Sequence, residues 1–282
     1  GWAAAGARRG TEANSLANLT VANSSTGAGT TYRFDNTRKD SVNTGELGLR
    51  GKLQTGSVGH EWVAVASHFS ADKKNAYAMD FGNTQATNLY RPVYSALPAL
   101  SANTLRGGDL ADPRITGSTR LTSLALGDTM SLLDNRLLLT VGLRHQSLEI
   151  ANYAYGTAVQ TDRYDQSRTS PLLAAVYKLD KSLSVYANYV EGLSQGQTAP
   201  STATNRGEML APYVSKQKEV GIKFDAGRVG GSVALFSTTK PRAFLNAANL
   251  FSTSGKDRHQ GIELAVQGEA TQGLRLLGGL TW

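Results

Sequence analysis

The chain has 282 residues, a formal net charge of +7 and no cysteine, which excludes a disulfide scaffold, a thiolate zinc site and a cysteine nucleophile. Its lysines and arginines are scattered, whereas nucleic-acid-binding proteins cluster them on one face, so no nucleic-acid partner is expected. The longest apolar run, Leu172–Tyr177, is far shorter than the ~18–20 residues that a membrane helix needs.

Apolar and polar residues alternate with period two along most of the chain. The alternation is clearest at 139–144, 183–189, 219–224, 262–267 and 274–281. Successive side chains of a strand point to opposite faces, so each of these segments has one apolar face and one polar or small face. The pattern predicts an antiparallel sheet. A soluble sandwich and a membrane barrel both satisfy it, because only every second residue of a barrel strand faces lipid.

The alternating segments and the turn residues between them predict eleven strands. In chain order they are expected at about 11–23, 45–54, 57–70, 119–132, 136–148, 168–179, 182–192, 215–225, 228–240, 258–268 and 273–282.

The connections between these strands alternate strictly in length. Every second one is tight: Thr55-Gly56, Asp134-Asn135, Asp180-Lys181, Ala226-Gly227 and Thr271-Gln272-Gly273. The others are long, at roughly 24–44, 71–118, 149–167, 193–214 and 241–257. Strict alternation puts all long connections at one end of the sheet. Outer-membrane barrels have this arrangement, whereas Greek-key sandwiches mix both lengths at both ends.

Four blocks of sequence resemble the TonB-dependent siderophore receptor family. They occur in family order: GELGLRGKLQTGSVGH from Gly45; Ser170-Pro171 followed by SVYANYVEGLSQG; Leu210-Ala211-Pro212 followed by SKQKEVGIKFDAG; and HQGIELAVQGEATQGLRLLGGLTW up to Trp282. Together they cover most of residues 45–282. Within the family they are similar to some ferric hydroxamate receptors.

The resemblance implies a fragment of a larger machine. Members of the family have a 22-stranded barrel, an N-terminal plug domain and a TonB box before the plug. Neither plug nor box is recognisable here, and the C-terminal strands are missing, so residues 1–282 are expected to be a partial barrel domain. The implied location is the outer membrane of a Gram-negative bacterium. The implied partners are a ferric siderophore, the TonB-ExbB-ExbD complex through the missing N-terminal region, and outer-membrane lipid and lipopolysaccharide.

The polar strand faces are expected to line the barrel lumen. Glu219, Lys223, Glu263 and Arg275 lie on these faces, where charges are tolerated, whereas a charge toward lipid is costly. Glycines on the same faces leave room for a plug or a ligand. We assign no chemistry to these charges, and no catalysis and no protein-bound cofactor are expected.

The candidate ligand-binding residues are tyrosines and arginines of the predicted extracellular loops. Arginine pairs with anionic groups and tyrosine offers a rigid face with a hydrogen bond, although packing within the loop is the simpler explanation for any single residue. The candidates are Tyr90, Arg91, Tyr94, Arg106, Tyr155, Arg163 and Tyr213.

Three alternatives share part of this pattern. Gly192-Leu193-Ser194-Gln195-Gly196 matches the nucleophile elbow of α/β-hydrolases, with Asp257 and His259 downstream, but loop residues follow the serine where that elbow requires a helix. A general porin would share the barrel, and a TonB-dependent receptor for cobalamin, haem or an oligosaccharide would share nearly everything. The four histidines have no metal-ligand spacing, so no metal site is expected.

Overall fold

The computed structural model describes residues Gly1 to Trp282 and consists of strands and their connections. No helix in it could cross a bilayer. The strands are β1 (Trp2–Val21), β2 (Ala28–Thr55), β3 (Val58–Asn88), β4 (Leu105–Gly107), β5 (Arg114–Leu132), β6 (Leu137–Tyr153), β7 (Gln160–Lys178), β8 (Leu183–Ser194), β9 (Tyr213–Asp225), β10 (Val229–Leu245), β11 (Phe251–Thr271) and β12 (Leu274–Thr281).

All strands belong to one antiparallel sheet. Each long strand pairs with its neighbour in sequence, and the short β4 pairs with β3 at Tyr77–Met79 beyond the end of the β3–β5 ladder. The sheet does not close, and β1 and β12 are its two edges. Of 183 backbone hydrogen bonds, 157 lie within the strands, so the ladder rather than an interior core holds the sheet together. The predicted all-β antiparallel fold is confirmed.

The tight turns were predicted correctly. The turn between β5 and β6 contains Leu133, Asp134 and Asn135, all with positive φ, which asparagine and aspartate tolerate better than most residues. Gly56, Gly227 and Gly273 also have positive φ in their turns. Because the strands follow one another in an antiparallel order, these turns share one end of the sheet, and the longer connections share the other end. That agrees with the barrel prediction.

The predicted long connections were mostly too long. In the structure they are 22–27, 89–104, 108–113, 154–159, 195–212 and 246–250. Residues 28–44 and 71–88 were predicted as loops but lie in β2 and β3, and β1 begins at Trp2 rather than near residue 11. Apart from a few aromatic residues, these strand extensions carry polar residues on both faces, so they lack the sustained alternation by which strands are recognised.

The apolar face of the sheet is exposed. Leu47 and Leu49 on β2, Leu126 on β5, Leu143 on β6 and Leu235 on β10 all have exposed fractions above one half, and only 20 of the 282 residues are buried. The register places these residues on one continuous face. No second sheet covers it, which is the arrangement of a barrel wall in lipid and not that of a sandwich.

The opposite face is polar and is joined across strands. The Tyr186 hydroxyl on β8 donates a hydrogen bond to Glu219 Oε1 on β9 at 2.7 Å. The Lys223 ammonium lies 4.7 Å from the centre of the Tyr186 ring. A Cβ added at Gly221 would lie 2.7 Å from that ring, so the glycine makes room for the tyrosine. The residues predicted to face the lumen therefore share one side of the sheet.

Candidate ligand-binding wall of the rim

The tallest part of the molecule is the hairpin of β2 and β3. With 28 and 31 residues, these strands are about three times as long as the ~9–11 residues that cross a bilayer. Their upper parts, residues 28–44 and 71–88, lie beyond the apolar belt at the end opposite the tight turns. We call this part of the hairpin, with the loops that pack on it, the rim.

Aromatic side chains occupy the lumen-facing side of the rim. Tyr32 and Phe34 alternate with outward-facing residues on β2, and the unbroken β1–β2 register places them on the face that bears Glu46. Tyr77 on β3 pairs with Asn36 of the same face. Phe81 stacks on Tyr32. We call Tyr32, Phe34, Tyr77 and Phe81 the aromatic stripe.

The rings of the stripe pack in pairs. The Tyr32 and Phe81 rings are tilted at 44° with centroids 4.7 Å apart. The Tyr77 ring meets the Tyr155 ring edge to face, at 74° and 5.0 Å. Such pairs add about 0.5–1.5 kcal/mol each beyond area burial. Asn18 Nδ2 also donates to the Tyr32 hydroxyl oxygen at 3.2 Å. The stripe is thus an ordered, half-exposed aromatic surface.

The stripe is electrically neutral, and amides border it. Asn14 and Asn36 face each other across β1 and β2 with a side-chain hydrogen bond of 3.1 Å, one step below the rings. The first charges on this face are lower on β2, where Arg38 pairs with Asp40 at 2.8 Å. This wall offers π-faces, hydroxyls and amides to a ligand, with no net charge.

The opposite face of the rim is covered by the loop after β3. Asp80 is fully buried there. Its carboxylate accepts hydrogen bonds from Ser101 N at 2.7 Å, from Ser101 Oγ at 2.5 Å and from Gly82 N at 2.9 Å. The hydrogen bond from the Ser101 hydroxyl, more than any other contact, lowers the pKa of Asp80.

Arg33 ties the same loop to β2. Its guanidinium donates to Asp35 Oδ1 at 2.9 Å, to Asp35 Oδ2 at 2.7 Å and to the Pro98 carbonyl at 2.8 Å. The hydrogen bond from Arg33 lowers the pKa of Asp35, and the same bond raises the pKa of Arg33. We call Arg33, Asp35, Asp80 and Ser101 the loop latch, because it fixes 96–101 against the hairpin.

Three of the sequence-predicted site residues lie in the loop after β3, and a fourth lies on β4, which follows that loop. The Tyr90 hydroxyl donates to the Ser24 carbonyl at 2.6 Å, so this tyrosine joins the loop to the β1–β2 turn. Arg91 is exposed, and Tyr94 is the most exposed aromatic of the chain, at 94 %. Arg106 lies on β4, in the row of Asp35, and its charge contributes to the lowered pKa of that carboxyl.

The other three candidates lie apart from this loop. Tyr155 touches the aromatic stripe through Tyr77. Arg163 on β7 lies 3.4 Å from Glu149 and 3.2 Å from Asp165. Tyr213 is 3 % exposed at the start of β9, so it offers no surface to a ligand in this conformation. The seven candidates therefore do not form one site, and their ligand contacts stay predictions.

The aromatic stripe was not predicted from the sequence. Tyr32 and Phe34 fell in a predicted loop, as did Tyr77 and Phe81. A usable signal was present: aromatics at positions 32 and 34, and at 77 and 81, have the even spacing that puts strand residues on one face. Recognising it required knowing that β2 and β3 continue beyond the belt.

The hydrolase alternative finds no support in the geometry. Ser194 ends β8 and is followed by an extended segment rather than a helix, and its hydroxyl contacts the Tyr213 carbonyl at 3.5 Å. His259 lies on β11, which is three strands away from β8, or about 14 Å across the sheet. Asp257 pairs with Arg242 at 3.4 Å. The three residues do not form a triad.

With these faces established, comparison with known proteins identifies the barrel. The family described as TonB dependent receptor-like, β-barrel, matches residues 2–282. The chain belongs to this family. The family is one of transport receptors rather than enzymes, and the predicted resemblance to siderophore receptors is confirmed by the relatives.

The curated relatives are siderophore receptors. The ferrichrome receptor FcuA of Yersinia enterocolitica is 34 % identical over 250 residues, which cover 86 % of this chain and 32 % of FcuA. The ferric-pyoverdine M114 receptor PbuA of Pseudomonas sp. strain M114 is 33 % identical over 137 residues, covering 45 % of this chain and 16 % of PbuA. The chain thus spans about a third or less of the length of these two relatives.

Solved structures give the same fold. BauA, the ferric preacinetobactin receptor of Acinetobacter baumannii, superimposes with a TM-score of 0.80 at 30 % identity, over 99 % of this chain and 41 % of BauA. The ferripyoverdine receptor of the Pseudomonas aeruginosa outer membrane gives a TM-score of 0.75 at 18 % identity, over 99 % of this chain and 38 % of that protein. At 18 % identity, this second match shows a shared fold and nothing more.

Proposed function

We propose that the chain forms barrel wall and extracellular rim of an outer-membrane receptor for TonB-dependent uptake of a ferric siderophore. One observation carries this proposal: the family match extends from residue 2 to residue 282, and the curated relatives along it are named as siderophore receptors. The exposed apolar belt is consistent with a position in the outer membrane. Residues 1–282 would then be a partial barrel domain, with coupling to TonB supplied by a plug outside them.

The neutrality of the aromatic stripe favours one class of siderophore. A ferric tris-hydroxamate is uncharged, because three hydroxamate monoanions balance the iron charge, whereas a ferric tris-catecholate carries three negative charges. A wall of rings, hydroxyls and amides suits the neutral complex, since an anionic complex requires cations that the stripe does not provide. We therefore propose that the ligand is a hydroxamate siderophore of the ferrichrome type. Ferrichrome is the siderophore named for the relative FcuA.

Uptake of radioactive iron tests the proposal. The complete receptor is expressed in a strain that lacks its own siderophore receptors, and ⁵⁵Fe is supplied as ferrichrome, ferrioxamine B or a ferric tris-catecholate. Uptake of at least one hydroxamate complex, and its loss in a strain without TonB, is the expected result. Uptake that persists without TonB would indicate a porin instead. Transport of cobalamin or haem, with no siderophore transported, would contradict the proposal that the cargo is a ferric siderophore.

The stripe itself is tested by paired substitutions. Tyr77→Ala removes a ring of the stripe that packs on the Tyr155 ring. This substitution is expected to weaken ferric-siderophore binding by about tenfold. Tyr94→Ala removes a 94 % exposed ring of the loop after β3 and tests the rival location of the ligand, with a smaller effect expected than that of Tyr77→Ala. Binding is measured by quenching of intrinsic fluorescence. A larger effect at Tyr94 than at Tyr77 would place the ligand on the loop after β3 rather than on the stripe.

A further inference from the structure

The ladder between β7 and β8 ends before either strand does. It joins Leu172–Lys178 of β7 to Ser184–Val190 of β8. Beyond this ladder, β7 continues as a strand but pairs only with β6, and β8 continues but pairs only with β9. Pro171 is the first residue past the ladder, and a proline has no N–H with which to continue it. We call residues 168–171 of β7 and 191–194 of β8 the seam.

The connection between β6 and β7 is held to the strands before the seam. The Tyr155 ring packs on the Tyr77 ring of β3. Gly156 lies directly against Gly108, because a Cβ built on Gly156 would be 3.1 Å from the Gly108 Cα. At the end opposite the tight turns, the strands before the seam and their connections therefore form one unit, which we call the β1–β7 body.

The connection between β8 and β9, residues 195–212, is held to the strands after the seam. The Thr204 N–H donates to the Asn249 carbonyl at 2.8 Å. The Asn205 side chain exchanges two hydrogen bonds with the Phe251 backbone, at 2.9 Å and 3.0 Å. Both partners lie where β10 is joined to β11, so these strands form a second unit, the β8–β12 body.

One salt bridge joins the two bodies. Arg168 Nη2 on β7 lies 3.3 Å from Glu191 Oε2 on β8. The Glu191 carboxylate also accepts a hydrogen bond from the Tyr189 hydroxyl at 2.6 Å and lies 3.4 Å from Lys216 Nζ. Those two partners belong to β8 and β9, so the carboxylate is fixed to the β8–β12 body. We call Arg168 and Glu191 the clasp.

The clasp passes through the seam from one face of the sheet to the other. The strand registers place Glu191 on the face of Leu173 and the apolar belt. The β6–β7 register is unbroken past Arg168, so this arginine shares the opposite face with Ser170. In a continuous ladder, side chains on opposite faces do not meet. The salt bridge therefore requires the seam to be open.

The other packing across the seam is not held by hydrogen bonds. The Gly196 N–H approaches the Tyr164 hydroxyl of β7 from the β8–β9 connection. Tyr164 is buried, yet its hydroxyl makes no hydrogen bond of normal geometry, and neither does the buried Ser170 hydroxyl. Buried hydroxyls are normally paired. The two bodies can therefore change their contact here without breaking an established hydrogen bond.

A polar cavity lies where the two bodies meet. It has a volume of about 510 Å³ and is lined by Lys73, Asn75 and Asn152 of the β1–β7 body and by Gln195 of the β8–β12 body. Because its walls belong to both bodies, the width of the seam sets the size of this cavity.

We propose that the seam is a gate in the barrel wall, held open by the clasp and closed when β7 and β8 extend their ladder. Extending the register would bring Thr169 opposite Leu193 and Arg168 opposite Ser194. Closing requires Arg168 to leave Glu191, since the two then lie on opposite faces. The ladder below the seam is the hinge, and closing narrows the cavity between the bodies. The inference concerns the wall alone and does not depend on which ligand is transported.

Disulfide formation across the seam of the complete receptor tests the gate. Residues 1–282 contain no cysteine, and any cysteine elsewhere in the receptor is replaced. The pair T169C/L193C can link only when the seam is closed, because the Cα atoms of a disulfide lie within about 7 Å. The matched pair A175C/A187C lies in the existing ladder. Under the same mild oxidant the seam pair is expected to link about tenfold more slowly, as a minority conformation would. Mass spectrometry counts the linked peptides.

Removing the clasp is expected to speed the seam disulfide. The variant R168Q takes away the salt bridge that requires an open seam. A partly exposed ion pair of this kind changes a population by about two- to fivefold, so the rate is expected to rise by that factor. The control is R163Q on the same strand, because Arg163 pairs with Glu149 and Asp165 inside the β1–β7 body. It is expected to leave the rate unchanged.

Four outcomes would overturn the proposal. They are no disulfide at the seam while the ladder pair links, equal rates for the two pairs, no acceleration by R168Q, and equal acceleration by R163Q. If R168Q does not fold, spin labels at Thr157 and Ser201 of the otherwise unsubstituted receptor serve instead. They are expected to give two distances that differ by about 5 Å, the spacing of one strand. A single distance there would also overturn the gate.

Discussion

The β2–β3 rim and the β8–β11 wall are built from the same kind of strand but are held by different forces. The wall strands have 12 to 21 residues, and their apolar face is exposed to lipid. The rim strands continue far beyond the belt, and their contacts there are local: stacked rings on one face and the loop latch on the other. Sustained alternation of apolar and polar residues therefore marks the strand segments that contact lipid, and it stops where the apolar belt ends.

The largest effect on stability is expected from a substitution in the wall. Leu264→Arg places a charge on the lipid-facing side of β11, which is expected to destabilise the folded barrel by about 2–4 kcal/mol near the bilayer midplane. Ala265→Arg, one residue further along and facing the lumen, is the control, with little expected effect. Denaturant unfolding in lipid vesicles measures both. Equal destabilisation by both would mean that the face assignment of β11 is wrong.

A glycine of the polar face predicts the next effect. Gly221→Ala would bring a Cβ to 2.6 Å from the Val233 carbonyl oxygen and 2.7 Å from the Tyr186 ring, and this overpacking is expected to cost about 1–3 kcal/mol. Gly192→Ala on β8 has nothing within 4 Å of its Cβ and is expected to be neutral. The unfolding assay distinguishes the two. A neutral Gly221→Ala would show that Tyr186 does not lie over β9.

The rim half predicts a smaller and local effect. Asp80→Asn keeps the size of the side chain but removes the charge that accepts three hydrogen bonds from Ser101 and Gly82. Limited proteolysis of residues 89–104 is expected to accelerate by about tenfold, because hydrogen bonds to a charged group are the stronger kind. The unfolding midpoint of the barrel is expected to change little. A large shift of that midpoint would mean that the latch stabilises the wall as well.

The pH dependence of the latch is expected to be the weakest effect in the physiological range. The pKa of Asp80 and that of Asp35 are both lowered in the folded protein, so the stabilisation they provide is present above their unfolded pKa of about 4 and is lost as pH falls through the folded value. Protease protection of the loop should be constant from pH 8 to about pH 5 and should decrease only below about pH 4. A decrease near pH 6 would require a different titrating group.

Sequence alone predicted the wall and failed at the rim, and particular residues show why. Ile222 and Leu264 are apolar because lipid surrounds them, so their alternation with Gly221 and Glu263 could be read directly. Asp35 and Asp80 are charged residues buried on strands, which a sequence reading places in loops. Their burial depends on Arg33, Pro98 and Ser101, brought together only by the packed loop. The choice of candidate site residues had the same limit: loop tyrosines such as Tyr94 were selected as ligand-binding candidates, and Tyr77, whose ring belongs to the stripe, was not.

The central claim is that every long connection emerges at one end of a lipid-embedded sheet and every tight turn at the other. The chain has no cysteine, so single cysteines can be introduced at Thr26, Tyr155 and Ala248 in the longer connections and at Gly56, Lys181 and Gly227 in the tight turns. These variants of the complete receptor are treated in intact cells with a membrane-impermeant maleimide. Labelling is expected at the first three positions, and at the other three only after the outer membrane is opened. Labelling of both sets in intact cells would contradict it.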